Sequence, residues 1–536
     1  MVSGTSLLCG LDGSESANVA ALVLSRGKLP HSRYIPNVLS LIREHRRFFL
    51  AATLAALAIR LMFFFYFAAV TDDSRVYANL ATNWLQHGIY GQTQGTEIIP
   101  TDARLPGYPA FLGVIYMLFG VGNFKAVLLA QILIDVGTCL LIADLARRTA
   151  SDRAAKIAFV LAALCPFLAN YAAAELTETL EIFFTTLALD CAVSALNRLD
   201  DKGAKINKRW AATGAAIAAC ILLRPDGGIL LAAIVLCLSV TFIANYLRPA
   251  LSVYEQRALG QTPERAKPPS RRTIVAVVVV TAFALMPLVP WTLRNFRTLH
   301  HFQPLAPRYA TESDELIPRG FNRWVKTWIA DYASVEEIYW NVPGDGIDPQ
   351  KLPSRAFDNP SQKNATLAAI DEYNQVREMA PNLDARFGRL ADERIRTHPF
   401  RCYFGLPMAR VADMWLRPRT EILPPDPRWW EFNDDPKYSI MAVGFGALNL
   451  AYVGVALLAT LGMPLQWRTR SLGIRSSALR WSGLMIGFVL LRSAFLLTLE
   501  NPEPRYTLEC YPCVIAFGAA FLAHASARQL RSGSPV

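Results

Sequence analysis

Residues 48–70 read FFLAATLAALAIRLMFFFYFAAV, and the polar run Thr71-Asp72-Asp73-Ser74-Arg75-Val76-Tyr77 follows directly. An apolar run of this length crosses a hydrocarbon core of ~30 Å, which takes ~20 helical residues. Similar runs recur at about 125–146, 157–174, 179–196, 210–223, 227–246, 273–293, 439–464, 481–499 and 507–527. The composition agrees: 53% of the 536 residues are hydrophobic and 18% charged, against about 25% charged in a soluble domain. Mean hydropathy is +0.25. The reading is an all-α polytopic membrane protein. A disulfide scaffold, a disordered chain and an ordinary cytosolic enzyme are excluded.

The net charge of +11 is explained by topology rather than by nucleic acid. The run 48–70 is too long for a signal-peptide core and is read as an uncleaved first span. The basic cluster Arg43, Arg46, Arg47 holds residues 1–47 in the cytoplasm. The stretch Tyr108 to Val121 is too short to span and is expected to lie along the outer surface. The loops with Arg147, Arg148, Arg153 and Lys156, and with Arg198, Lys202, Lys205, Lys208 and Arg209, then fall inside. So do those with Arg248, Arg257, Arg265, Lys267, Arg271 and Arg272, and with Arg468, Arg470, Arg475 and Arg480. Basic short loops are retained in the cytoplasm, so about ten spans with both termini inside are expected. A crossing at 108–121 would put all these loops outside.

The expected organisation is a cytoplasmic segment 1–47, a transmembrane module 48–293, an extracytoplasmic insert 294–438, and spans with a short tail over 439–536. The insert holds Trp324, Trp328, Trp340, Trp429 and Trp430, many prolines and an amphipathic stretch near 383–416. No internal repeat or low-complexity tract is visible. Of nine cysteines, five (Cys139, Cys165, Cys191, Cys220, Cys237) lie in apolar runs, where the thiol acts as a small hydrophobe. The Cys510-x-x-Cys513 spacing lacks the context of a redox or metal pair.

Chemistry concentrates at the outer span ends. Asp72 and Asp73 stand at the end of the first span, and Arg104-Leu105-Pro106-Gly107-Tyr108-Pro109 follows in the same loop. These are either solvated loop residues or carboxylates poised at the membrane surface. Glu175, Glu178 and Glu181 recur at i, i+3, i+6, so one broad helix face can carry all three. The plain alternative is a hairpin tip of solvated acids, but ionisable groups beside hydrocarbon are costly and point to function. Arg224, Arg294 and Arg505 stand at other outer ends. Each one alone can be a snorkelling side chain. Together with Arg104 they favour an anionic ligand, because arginine forks onto phosphate.

The combination Asp73-x-x-x-Tyr77-x-x-Leu80-Ala81, Gly88, Arg104-x-Pro106-Gly107-Tyr108-Pro109 resembles the first-loop signature of GT-C superfamily glycosyltransferases. It is similar to the branch with the protein O-mannosyltransferases and the lipid A aminoarabinose transferases. Leu223-Arg224-Pro225, Pro290-Trp291-x-x-Arg294-Asn295 and Arg505-Tyr506 match patterns of that branch too. The resemblance covers about 48–300 and returns near 500.

The resemblance implies a module of seven spans, about three further spans, and an extracytoplasmic active site in a bacterial inner or plasma membrane. It implies a donor sugar on a polyprenyl phosphate and a lipid, glycan or protein acceptor. Asp73 is the implied catalytic carboxylate, with Asp72 beside it and Glu178 as the second acid. Arg104, Arg224, Arg505 and Arg294 are implied phosphate ligands. Tyr77, Glu175, Tyr108 and Tyr506 are implied positioning residues. Some members of the superfamily hold a divalent metal with the two acids and others do not; no other cofactor is implied. In the implied inverting displacement a carboxylate takes the acceptor's proton and arginines stabilise the departing phosphate. No nucleotide motif such as G-x-G-x-x-G or a Walker loop is visible. The main competing reading is a polytopic transporter or flippase of a lipid-linked or anionic substrate. Its asymmetric spans and one-sided charges make the chain unlike paired transporter repeats.

Overall fold

The runs of Ala, Leu, Phe and Val that fill the sequence become helices, because in lipid a backbone must satisfy its own hydrogen bonds. The computed structural model describes residues 38–199, 207–258, 271–309, 316–432, 435–467 and 472–532. The expected cytoplasmic residues 1–37 lie outside the described residues, as do the basic loop residues Lys202, Lys205, Arg265, Lys267, Arg468 and Arg470. The chain divides into Met1–Phe49 and Leu50–Val536. The first unit holds α1 (Val38–Glu44) and the start of α2 (Arg46–Tyr66).

After α2 come α3 (Asp72–His87), a hairpin of β1 (Gly91–Gln94) and β2 (Glu97–Pro100), α4 (Gly107–Phe119) and α5 (Phe124–Thr149). Then follow α6 (Asp152–Ala163), α7 (Pro166–Ala172), α8 (Glu178–Leu196), α9 (Asn207–Leu223) and α10 (Gly228–Ala258). The helices α11 (Arg271–Leu285) and α12 (Leu288–Leu299) lead into the insert, which holds α13 (Arg319–Lys326), α14 (Pro360–Val376), α15 (Pro381–Thr397) and α16 (Leu406–Leu416). The chain closes with α17 (Pro436–Trp467), α18 (Leu472–Leu496), a 3₁₀ turn Pro504–Cys510 and α19 (Tyr511–Ser532).

Among the described residues, eight helical stretches are long and apolar enough to cross a membrane. The protein is therefore an all-α polytopic membrane protein. The bent pair α6–α7, with an angle of 53°, makes a ninth. The expected tenth is α9, described over the 17 residues Asn207–Leu223, at the short end of the ~17–25 residues that a span takes.

The bend between α6 and α7 has a sequence cause. Pro166 opens α7, and a proline in mid-helix removes a backbone donor and breaks the ladder. The carbonyls left at the end of α6 are met by Arg60 of α2, which donates to Ala163 O at 2.7 Å and Ala162 O at 3.3 Å. Arg60 Nε also donates to Asp135 Oδ2 of α5 at 2.5 Å, both residues being buried. A charge among apolar spans is tolerated when it is paired and hydrogen-bonded in this way.

Where α2 ends, the chain is tied to the turn that follows α7. Ala69 N donates to Ala173 O at 3.0 Å, and Glu175 N donates to Ala69 O at 3.3 Å. This parallel bridge sets the start of α3 beside the start of α8. Helix α4 stays at the same end. Its first turn reaches that region through Tyr108, which donates to Gln131 Oε1 at 2.7 Å, while Gln131 donates to Ala174 O at 2.6 Å. Its last turn reaches it through Tyr116, which donates to Glu175 Oε1 at 3.0 Å. Both ends of α4 thus meet one turn, and its 13 residues extend only ~20 Å.

The insert buries a cluster of its own, with Phe321, Trp324, Trp328, Ile370, Tyr373 and Phe387 at its centre. The expected amphipathic stretch near 383–416 is two helices, α15 and α16, whose apolar residues Leu383, Phe387 and Leu406 are buried.

Candidate active site

The end of the bundle where α2, α9 and α18 finish and α8, α10 and α19 begin collects the charges. Thr71 caps α3: its side chain accepts from Ser74 N, and Ser74 reciprocates to the Thr71 backbone. Asp72 and Asp73 occupy the first helical turn, where the helix dipole favours negative charge. The 100° step between neighbours in a helix sends them to different places. Asp72 pairs with Arg75 at 3.0 Å on the open face, its side chain 95% exposed. Asp73 turns inward, 32% exposed, and both of its oxygens meet guanidiniums. Arg104 Nη2 donates to Oδ1 at 2.9 Å and Arg505 Nη2 to Oδ2 at 3.4 Å. Burial alone raises the Asp73 carboxyl, but Arg505 and Arg104 outweigh it and hold the group below the usual carboxylate range.

Arg505 also reaches Glu178, the first residue of α8, with Nη1 3.4 Å from Oε1. Its Nε meets Glu503 at 2.6 Å. Arg224, at the end of α9, lies 3.7 Å from Glu178, 3.3 Å from Glu181 and 3.4 Å from Asp226. Asp226 passes the chain of contacts to Arg492 of α18 at 2.6 Å, and Arg492 meets Glu509 at 2.7 Å. The result is one connected array of Asp73, Glu178, Glu181, Asp226, Glu503 and Glu509 with Arg104, Arg224, Arg492 and Arg505.

Gly107 explains how Arg104 and Arg224 come together. A Cβ built on Gly107 would lie 2.6 Å from the Leu222 carbonyl, so only glycine allows this approach of backbones. Aromatic rings line the array. Tyr77 packs edge-on to Tyr108 at 5.0 Å and lies under Arg104 at 5.9 Å. Arg224 lies 4.9 Å from the Tyr506 ring centre, close enough for a cation–π contact. Burial pushes the Tyr77 phenol up to about 12, so it stays neutral and able to donate.

Two of the expected residues have their partners outside this array. Arg294 donates to Thr101 O at 2.8 Å and to the Tyr90 carbonyl, and stacks on Tyr90 and Trp291. It fastens α12 to the hairpin loop. Glu175 is buried behind α4 and bonded to Tyr116, and burial pushes its carboxyl up to about 7.

The array includes residues that reading by motif passed over: Arg492, Glu503 and Glu509. Arg492 carried a signal, being an arginine inside an apolar span. Glu421 and Tyr171 are also close. The Tyr171 hydroxyl donates to Glu421 Oε2 at 3.4 Å, while Thr179, next to Glu178, donates to Tyr171 O at 3.0 Å. Among the described residues, both oxygens of Glu178 and of Glu181 are buried without a hydrogen-bond donor. They face guanidiniums only in looser ion contacts, and they can accept from hydroxyls of a bound molecule.

A divalent metal between Asp73 and Glu178 does not fit this arrangement. Arg505 fills the place, with one Nη on each acid. A cation there meets a positive charge that already compensates both carboxylates. Among the described residues, no group of three or more metal-ligating side chains converges.

Residues 103–251 match the profile of a family described as dolichyl-phosphate-mannose-protein mannosyltransferase. No curated protein sequence matches the chain. Among solved structures, the Archaeoglobus fulgidus oligosaccharyltransferase, tethered with an acceptor peptide, aligns with a TM-score of 0.48 at 13% identity, covering 91% of this chain and 50% of that one. The oligosaccharyltransferase AglB from Archaeoglobus fulgidus, in complex with an inhibitory peptide and a dolichol-phosphate, aligns at 0.44 and 12% identity, covering 92% and 53%. ArnT from Cupriavidus metallidurans, bound to undecaprenyl phosphate, aligns at 0.34 and 16% identity, covering 92% and 81%. The chain spans about half the length of the archaeal protein it matches. The matched segment 103–251 holds Arg104, Tyr108, Glu178 and Arg224, and over it the chain carries the pattern of the family described as dolichyl-phosphate-mannose-protein mannosyltransferase.

Proposed function

We propose that the protein is an integral-membrane glycosyltransferase that moves a sugar from a polyprenyl-phosphate donor to a lipid, glycan or protein acceptor. We place its site on the extracytoplasmic face of a bacterial inner or plasma membrane. The transmembrane module is 48–293, the outer insert 294–438, and the closing spans and tail 439–536. One observation carries the reading: Arg104, Arg224 and Arg505, from three distant segments, converge on Asp73 and Glu178 at the ends of the spans. The family description names a lipid-phosphate-linked sugar as the donor and protein as the acceptor.

The chemistry follows from the charges. The donor's phosphate arrives at headgroup depth with its tail in the bilayer. As its bond to the anomeric carbon breaks, negative charge grows on the phosphate. Guanidiniums already held in place stabilise that charge without reorganising, and one such donor is commonly worth about 10²–10³ in turnover. Arg104, Arg224 and Arg505 take this role, and Tyr77, Tyr108 and Tyr506 wall the sugar's site. The vacant oxygens of Glu178 and Glu181 accept from sugar hydroxyls. Asp73, with both oxygens on arginines, orients those arginines. Inversion at the anomeric carbon follows from a single displacement by the acceptor.

The test is the purified protein in liposomes, offered a panel of polyprenyl-phosphate-linked sugars, with free polyprenyl phosphate measured. Release that disappears in Arg505→Ala is the expected result. Failure to release polyprenyl phosphate from any donor, with carrier-lipid translocation present instead, overturns the reading in favour of a flippase.

A further inference from the structure

The carboxylates of the array share one property that unsuits them for taking a proton: each is beside a guanidinium. Asp73, Glu178, Glu181, Asp226, Glu503 and Glu509 all lie within 4 Å of an arginine. A proton arriving on a carboxylate with a guanidinium beside it meets a neighbouring positive charge, which weakens that carboxylate as a base.

Glu421 differs. It lies on the segment of the insert that returns to the membrane, and among the described residues its carboxylate makes no ion pair. Oε2 accepts from Tyr171, and Oε1 is buried with no hydrogen-bond partner among the described residues. The segment is clamped to the arginine site. Arg419, two residues before Glu421, donates to Pro504 O at 2.7 Å, to Thr507 Oγ1 at 2.6 Å and to the Tyr511 hydroxyl at 2.7 Å. Pro504 directly precedes Arg505. Leu423, two residues after, packs with Phe63, Ala169 and Ala173.

We propose that Glu421 is the general base of the transfer, receiving the acceptor's proton on Oε1 while Tyr171 holds Oε2. This rests on the glycosyltransferase reading and adds the base which that reading lacks. In the step, the acceptor's oxygen or nitrogen forms a bond to the anomeric carbon as the bond from that carbon to the phosphate oxygen breaks. The electron pair leaves with the polyprenyl phosphate, toward Arg505, Arg104 and Arg224. The acceptor's proton passes to Glu421. The acceptor therefore enters between the insert and the spans, with the donor on the opposite side.

The electrostatics agree. Burial raises the Glu421 carboxyl, and Arg419, Arg417 and Arg505 pull it back, leaving it at about 7. Tyr171 and Tyr332, the neutral titratable groups facing it from α7 and the insert, feel both Glu421 and Arg505. The base form gains population as pH rises through about 7.

The experiment starts from wild-type transfer, measured as polyprenyl phosphate release against pH, which tests the glycosyltransferase reading by itself. Given transfer, Glu421→Gln keeps the shape and the Tyr171 contact but cannot take a proton. Its turnover falls by about 10²–10⁴-fold, and the rise of kcat/KM with pH near 7 disappears, while donor binding is unchanged. Glu421→Asp retains a carboxylate and a rising limb. In Glu421→Ala, azide, which attacks without releasing a proton, restores turnover as glycosyl azide. A Glu421→Gln enzyme with wild-type turnover and pH profile overturns the proposal and leaves the glycosyltransferase reading standing. Equal inactivity of the Gln and Asp variants, with donor binding intact and no glycosyl azide, also overturns it and makes Glu421 a structural group.

Discussion

Arg505 Nη2 lies 3.4 Å from Asp73 Oδ2, although 432 residues separate them in the chain. The same guanidinium reaches Glu178 through its other Nη at 3.4 Å. A planar fork that holds two carboxylates at once is specific to arginine, since the lysine ammonium is a point charge. Arg505→Ala is expected to lower turnover by about 10²–10³-fold. Arg505→Lys should recover only part of it, because it restores charge without the bridge. Equal activity of the Lys variant and the wild type, in the polyprenyl phosphate release assay, would falsify the bridging role.

Asp72 and Asp73 are neighbours with opposite surroundings. Asp72→Asn removes an exposed i,i+3 pair with Arg75, of the kind worth ~0–1 kcal/mol, and should leave turnover close to wild type. Asp73→Asn frees Arg104 and Arg505 from their shared anchor. Misplacement of reacting groups by about 1 Å costs about 10²-fold, so turnover should fall by that factor or more. Side-by-side rates decide it, and the reverse order of sensitivity would transfer the role to Asp72.

Arg294 and Arg104 should separate experimentally. Arg294→Ala loses bonds to Thr101 and Tyr90 and the stack on Trp291. Thermal unfolding should move to lower temperature while the donor KM stays as in wild type. Arg104→Ala should raise the donor KM. A donor KM raised equally in both variants would return Arg294 to the phosphate site.

Gly107→Ala puts a methyl group 2.6 Å from the Leu222 carbonyl. Backbone must shift, with a destabilisation of about 1–3 kcal/mol, and Arg104 moves away from Arg224. Both a lower melting temperature and weaker donor use are expected. An unchanged melting temperature would show that the two segments are not in close contact.

The Arg60–Asp135 pair supports the bend at Pro166 from below the site. Breaking a buried pair by removing one partner costs about 3–5 kcal/mol. Asp135→Ala should therefore destabilise the protein more than the double variant Arg60→Leu/Asp135→Leu. Melting temperatures of the two in the same detergent make the comparison, and the opposite order would mean that the pair is not closed.

The membrane class, most of the spans and the charged span ends were legible in the chain because they depend on local order. An apolar run of ~20 residues is a span whatever its neighbours, and positive-inside bias reads directly from loop composition. The Asp73 to Tyr77 spacing and the Arg104 to Pro109 run stood out for the same reason, and the fold brings Asp73 and Arg104 together. Partner choice was not local. Asp72 and Asp73 look alike in sequence, and only the direction that α3 takes from Thr71 separates an exposed acid from one between two arginines. Arg294 looked like Arg104 and Arg224 until its carbonyl partners on the hairpin loop were seen. The break at Pro166 was visible as a proline, but its support by Arg60 was not. Glu421 carried no motif at all: its environment comes from Tyr171, Arg419 and Arg505, residues up to 250 positions from it. Sequence determined which segments enter the membrane, because burial in lipid is decided by each segment's own side chains. Tertiary structure decided which charges meet, because pairing depends on distances that close only when the span ends are packed together.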